Sequence, residues 1–166
     1  MSERSSPSEY AYLAYLTEDR EVGESTKRSP QHLTLVPPFP FDLSLAKVQE
    51  AVHEVAADTK PFQVKVANEV KFGSNYMVTV RIIEPAGIVR ALHYQLMYSL
   101  HSRGIPLPSK FVYETYSPHI TVKPAHPTEL STGQIMTIDH IAIMHKDKGY
   151  RTLLAREELS GEETTA

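Results

Sequence analysis

Cysteine is absent from the 166 residues, which removes disulfides, thiolate nucleophiles and cysteine-ligated zinc in one step. Tryptophan is missing as well. Positive charge is in short supply: 17 Lys and Arg stand against 20 Asp and Glu, a net charge of −3. Proteins that hold a long duplex by its phosphates carry a basic excess, so no long duplex nucleic acid is expected as a partner. A small or short anionic substrate gripped by a few local groups stays open. No run approaches the ~18 apolar residues of a membrane span, and no membrane is expected either. Residues 1–9 are polar and serine-rich and contain no apolar stretch to serve as a signal-peptide core, so the expected location is cytoplasmic. What remains is the chemistry of histidine, carboxylate, hydroxyl and lysine.

Hydrophobic residues make up 41% of the chain and charged residues 22%, the balance of one soluble domain able to bury its own core. Residues 1–9 and 160–166 read as disordered tails around a domain at 10–159. Tyr10–Thr17 reads as a first strand, Glu18–Pro30 as a loop, and Gln31–Val36 as a strand stopped by Pro37 and Pro38. Asp42 or Ser44 can cap a helix carrying Leu45, Val48, Val52 and Val55 at helical spacing, ended by Pro61. Phe62–Phe72 and Asn75–Ile83 read as a hairpin about Gly73-Ser74. Pro85 suits the first turn of a second helix, with Ile88, Leu92, Leu96 and Leu100 as its stripe and Gly104 and Pro106 as its stop. Ser117–Val122, Ile135–His145 and Tyr150–Leu159 read as strands, the last two joined through Asp147-Lys148-Gly149. Two helices among about seven strands with short turns point to an α+β fold with antiparallel sheets.

One feature repeats. His32-Leu33-Thr34-Leu35, followed by prolines, returns as His119-Ile120-Thr121-Val122, followed by Pro124. In a strand, residues i and i+2 share a face, so each histidine stands with its threonine while the apolar pair anchors the strand behind. If the two strands face each other across a cleft, two imidazoles and two hydroxyls converge without a metal cage. In-line displacement at phosphorus needs one group to take a proton from the attacking oxygen and another to give one to the departing oxygen. His32 and His119 can do both, because imidazole titrates near neutral pH. Thr34 and Thr121 can donate to the non-bridging oxygens. Lys123, on the face of His119 and Thr121, can add a full positive charge beside the phosphate. His126-Pro127-Thr128-Glu129 repeats the His-x-Thr spacing without the apolar anchors and reads as accidental.

The segments Pro30-Gln31-His32-Leu33-Thr34-Leu35 and Ser117-Pro118-His119-Ile120-Thr121-Val122 resemble the paired motifs of the 2H phosphoesterase superfamily. That group includes the 2'-5' RNA ligase-like proteins and related cyclic nucleotide phosphodiesterases. The resemblance extends to Tyr76–Ile83 leading into Pro85–Leu100, and to Ile138-Asp139-His140-Ile141-Ala142-Ile143 before Gly149-Tyr150. It implies a bilobal fold with pseudo-two-fold antiparallel sheets lining a central groove and two main helices outside. It also implies metal-independent hydrolysis of 2',3'-cyclic phosphates or 2'-5' linkages of nucleotides or RNA ends, as in RNA processing, with no cofactor. The alternative is a nucleotide or RNA-end binding module of the same fold with little turnover. Oligomeric state leaves no trace in the sequence.

Aromatic residues near the motifs are further substrate-binding candidates. Phe39, in Pro37-Pro38-Phe39-Pro40-Phe41, could stack on a base or staple onto the first helix, and Tyr116 and Tyr150 are candidates for the groove rim. His93 and His101 lie too far apart on the second helix for a metal pair and read as solvent-facing. His140 and His145 fall on opposite strand faces. Arg81 and Arg90 could steer an anion or simply be solvated. No metal-ligand spacing occurs, so no bound metal is expected.

Overall fold

A computed structural model describes residues 9–41, 45–73, 78–124, 126 and 129–161. Strand β1 (Glu9–Leu16) leads through a short β2 (Ser25–Thr26) to β3 (His32–Pro40) and helix α1 (Leu45–Asp58). The antiparallel pair β4 (Phe62–Phe72) and β5 (Val78–Glu84) precedes helix α2 (Ala86–Ser102) and a 3-10 turn at Tyr113–Thr115. Strands β6 (His119–Thr121), β7 (Ile135–Ile138), β8 (His140–Asp147) and β9 (Tyr150–Glu158) complete the order. The proposed caps Asp42 and Ser44, Ser74 of the hairpin turn, Tyr76, and the chain ends at 1–8 and 162–166 lie outside the described residues.

The fold is α+β, and its strands form one antiparallel sheet in the order β2-β9-β8-β1-β3-β6-β5-β4-β7. The pair β3 and β6 is the seam between two lobes, each with one motif strand at its inner edge. Covalent geometry requires the sheet to curl. Only Asp139 separates β7, at one edge, from β8, which stands six steps away in the sheet. Laid flat at ~4.8 Å per step the two strands would be about 29 Å apart, far beyond the reach of one residue.

Both helices pack on one face of this sheet. Helix α1 buries Val48, Ala51, Val52, Val55 and Ala56, and α2 buries Val89, Leu92, Leu96, Met97 and Leu100. Ser99 on α2 donates to the Ala51 carbonyl at 2.8 Å, which fixes the helices against each other. Leu33, Leu35, Ile83, Ile120, Ile141 and Ile143 complete this main core from the sheet. A second, smaller cluster of Tyr12, Ala14, Leu16, Ala142, Met144 and Leu153 forms from the alternate strand positions.

Several local expectations need correction. Strand β3 does not stop at Pro37 but runs to Pro40, pairing with β1 through a register shift between Ala11 and Leu13. Its other neighbour, β6, is only three residues long, so the prolines sit where no second ladder asks for their missing N–H. The run from Ile135 to His145 is two strands: β7 pairs with β4 at the sheet edge, and β8 pairs with β1 and β9. The loop at 18–30 contains β2, which pairs with β9. Pro85 precedes α2 as its N-cap rather than opening its first turn, and Ile88 falls on the exposed flank while Val89 takes the core position. Ser160 and Gly161, expected to begin a loose tail, donate backbone N–H groups to Ala56 and Thr59 at the end of α1. A Cβ at Gly161 would come within 2.7 Å of backbone atoms of Asp58 and Thr59, so this strap is built for glycine.

Candidate active site

The two motif strands are hydrogen-bonded neighbours at the centre of the sheet, not opposing walls of a cleft. Leu33 pairs with Ile120 in an antiparallel ladder, and both side chains are fully buried in the main core. One residue to either side, the register sets His32 beside Thr121 and Thr34 beside His119, on the face away from the helices. The histidines are then diagonal neighbours, and such pairs stand about 7–8 Å apart at the backbone. The four polar residues thus occupy one compact patch.

The two imidazoles are tethered alike. His32 Nδ1 donates to the Pro30 carbonyl at 2.6 Å, and His119 Nδ1 donates to the Ser117 carbonyl at 2.7 Å. Each bond reaches back two residues, and each assigns the proton to Nδ1, which leaves Nε2 as the nitrogen available for chemistry. The local X-Pro or Pro-X segment before each histidine makes the tether possible by presenting that carbonyl.

The surroundings differ. His32 lies 5.2 Å from the Tyr12 ring, half-buried. Burial pushes its pKa down to about 4; the Pro30 bond opposes this, while the positive charges of His126, His119 and Arg151 add to it. His32 is therefore neutral at pH 7. His119 packs edge-on against Phe72 at 4.9 Å.

A second layer holds β3 from behind, and its main member was expected in solvent. His93 on α2 is completely buried: its Nδ1 donates to the Leu35 carbonyl at 2.7 Å, and its Nε2 accepts the Tyr113 N–H at 2.9 Å. These two bonds saturate the neutral ring, and burial lowers its pKa further. Its imidazole stacks on Tyr116, with centroids 4.3 Å apart and planes 3° from parallel. Tyr116 in turn donates its hydroxyl to the Thr34 carbonyl at 2.7 Å. Tyr116 is thus buried rather than a rim residue, and burial raises the pKa of its hydroxyl. Helix α2, through His93, and the segment after the 3-10 turn, through Tyr116, thus each bind one β3 carbonyl. Arg90 braces the same loop through the Tyr116 carbonyl at 3.0 Å, and Arg81 is tied to Thr132 at 2.7 Å.

The remaining candidates separate. Phe39 is 1% exposed in the main core and offers no face to a ligand, because β3 continues past the prolines and turns it inward. Lys123 is exposed just beyond β6, where no ladder fixes its direction. Tyr150 is exposed at the β8–β9 turn, with the Lys27 ammonium 5.9 Å from its ring. His140 is buried, accepting the Leu16 N–H on Nε2 and donating Nδ1–H to Asp139.

Two hollows flank the motif patch. One, of about 460 Å³, is lined by Thr34 and His119 together with Pro37, Pro38, Phe72 and the largely exposed Phe111. The other, of about 490 Å³, lies toward His32 and is lined by Arg20, Lys27, Arg28, Ser29 and His126, with Glu18 as its acid. A larger hollow, about 750 Å³, runs along the ends of α1 and α2 and holds no histidine, so size does not locate this site. Among the described residues no group of three or more His, Asp and Glu gathers as a metal would need. Sequence reasoning passed over His126, Arg151, Phe72 and Phe111. Only His126 carried a signal, its repeated spacing after the second motif.

Comparison with known proteins places the chain in a family. The profile of the 2'-5' RNA ligase superfamily matches residues 16–149, a span that includes both motifs. A Geobacillus kaustophilus protein provisionally named a phosphoesterase is 30% identical over 104 residues, which cover 58% of this chain and 56% of that protein. The match therefore spans about half the length of that relative. Among solved structures, TT0787 of Thermus thermophilus superposes with a TM-score of 0.64 at 19% identity, covering 93% of this chain and all of that one. Escherichia coli LigT in complex with 3'-AMP gives a TM-score of 0.57 at 15% identity, over 92% of this chain and 98% of its own. LigT has also been crystallised with NADP+, in a structure that matches with a TM-score of 0.56 at 16% identity, covering 93% of this chain and 99% of its own. On its sequence profile, with the fold in agreement, the chain belongs to the 2'-5' RNA ligase superfamily of 2H phosphoesterases.

Proposed function

We propose that this protein is a phosphoesterase that hydrolyses 2',3'-cyclic phosphates or 2'-5' phosphodiesters of nucleotides or RNA ends, with His32 and His119 as its acid–base couple. The observation that carries the reading is the matched pair of tethers, Nδ1 of each histidine on the carbonyl two residues back, which frees both Nε2 atoms beside two threonine hydroxyls.

For a cyclic phosphate the steps balance as follows. Water attacks phosphorus as His32 Nε2, neutral at pH 7, takes its proton. The bond from phosphorus to one ribose oxygen breaks, and that oxygen receives the proton of His119 Nε2. In this step His119 enters carrying a proton on each nitrogen, with Nδ1–H held by the Ser117 carbonyl. Thr34 and Thr121 donate to the non-bridging oxygens. Lys123 adds a long-range positive charge. The nucleobase lies in the hollow of Phe72, Phe111 and the two prolines, whose surfaces suit stacking. Tyr150 meets the substrate at the opposite rim. The 3'-AMP and NADP+ complexes of LigT lend support for a nucleotide as the ligand.

The test is hydrolysis of 2',3'-cyclic AMP and of 2'-5'-linked diadenosine in EDTA, with products separated by chromatography. Turnover in chelator supports the metal-independent reaction. Tight binding of both compounds without turnover would make the protein a nucleotide-binding module instead.

A further inference from the structure

The hollow on the His32 side is built from cations that the reaction above does not use. Arg20 is neutralised, with Glu24 at 3.1 Å and Glu18 at 3.6 Å. The other carboxylate oxygen of Glu18 accepts the Gln31 N–H at 2.7 Å, so that acid is spent on holding the loop. Lys27 and Arg28 are exposed and have no ion-pair partner among the described residues. Arg151 reaches the same region from β9: its backbone pairs with Thr26, and its charge acts on Tyr12 and His32.

The loop that presents these charges is fixed. Gly23 donates to Leu153 at 2.7 Å, Leu153 donates back to Glu24 at 3.1 Å, and the Thr26 hydroxyl donates to the Arg28 carbonyl at 2.7 Å. Ser29 joins the hollow to the motif patch. Its hydroxyl lies 3.4 Å from both Tyr12 Oη and His32 Nδ1, and its carbonyl accepts His126 Nε2–H at 3.3 Å. The Nδ1 of His126 is buried with no partner among the described residues, so this ring meets the hollow by its edge and not by a free N–H.

With Glu18 and Glu24 committed to Arg20, Lys27 and Arg28 stand together without a carboxylate of their own among the described residues, an arrangement that favours an anion. The reacting phosphate alone does not account for them, because Lys27 and Arg28 line a hollow that neither His119 nor Thr34 shares. We propose that Lys27 and Arg28 form a second phosphate subsite, in the hollow that His126 and Ser29 also line, which takes the next phosphate of a nucleotide joined through its 5' oxygen to the reacting phosphorus. The inference rests on the nucleotide reading above and extends it to the substrate class. The preferred ligand is a linked nucleotide with a further phosphate beyond the scissile one. Its base-side nucleoside fills the aromatic hollow, and its other half reaches into the cationic one.

The test is calorimetric binding of two 2'-5'-linked diadenosines, with and without a terminal phosphate on the second nucleoside. Both lack the 3'-hydroxyl that could close a cyclic phosphate. The terminal phosphate is expected to tighten binding to the wild-type protein ~10-fold and to steepen its salt dependence, since each added phosphate contact releases counterions. Lys27→Ala/Arg28→Ala, at two exposed positions, should erase that gain and leave the unphosphorylated dinucleotide unaffected. Equal binding of the two dinucleotides by the wild type, or a gain that survives in the double variant, overturns the subsite alone. Failure of both dinucleotides to bind overturns this inference and the nucleotide reading together.

Discussion

The two halves of the motif patch share a backbone plan and differ in everything around it. Each half supplies a histidine, a threonine and a tether from Nδ1 to the carbonyl two residues back. Around His32 stand Tyr12, His126 and Arg151, and burial with these charges pushes its pKa down to about 4. Around His119 stand Phe72 and an apolar hollow. The repeated sequence thus builds equivalent geometry, and the unrepeated neighbours give it a direction. A neutral imidazole at one end suits a base, and the apolar end suits a nucleobase.

Removing either histidine breaks the comparison most severely. His32→Ala and His119→Ala should each lower kcat/KM by ~10²–10⁴, the usual worth of a positioned acid or base. The double variant should fall short of the product of the two, because both act in one transition state. Thr34→Ala and Thr121→Ala should each cost ~10–10² in kcat, read from the same assay, since water can partly replace a lost donor.

The pH dependence sharpens the difference between the ends. If His32 is the base, the acid limb of log(kcat/KM) for the free enzyme should fall well below pH 6, with the two limbs belonging to the pair as macroscopic values. Stability follows the same group. Its folded pKa lies below the unfolded value, so between about pH 6.5 and 4 the unfolded chain binds more protons. Stability should therefore be full above pH 6.5 and decline as the pH falls through that window, with the buried His93 and His140 adding to the decline. Thermal melts across pH 4–8 check this, and a flat profile would contradict it.

Smaller effects should come from behind the strand. Tyr116→Phe removes only the hydroxyl bonded to the Thr34 carbonyl and should cost ~1 kcal/mol in denaturant unfolding. His93→Leu strands both the Leu35 carbonyl and the Tyr113 N–H and should cost more, about 1–3 kcal/mol for each buried orphan.

These residues also show how far the sequence could be read. The alternation in His32-Leu33-Thr34-Leu35 and its repeat was enough to assign faces, because a strand's period of two is rigid and Leu33 and Ile120 had to go inward. Helix α1 and the antiparallel β4–β5 pair were equally plain from spacing. The adjacency of β3 and β6 was not, since strand order depends on how the sheet curls rather than on any local pattern. His93 was misplaced, and only the fold decides between the two readings of Phe39, in favour of packing with the first helix. Proline after the first motif suggested an end to β3, yet the short β6 left those prolines without a second ladder to break. His93 sits on the polar flank of α2's apolar stripe, and only the tertiary fold brings the Leu35 carbonyl to it. Arg151 and His126 reach His32 from distant parts of the chain, so their convergence has no sequence signature.

The most direct measurement of the central claim is turnover of 2',3'-cyclic AMP by His119→Ala beside the wild-type protein, in EDTA and at neutral pH. The account predicts measurable wild-type hydrolysis and a loss of at least ~10²-fold in the variant. Hydrolysis by the variant within a factor of a few of wild type would contradict it, leaving the second motif as a strand that packs but does not catalyse.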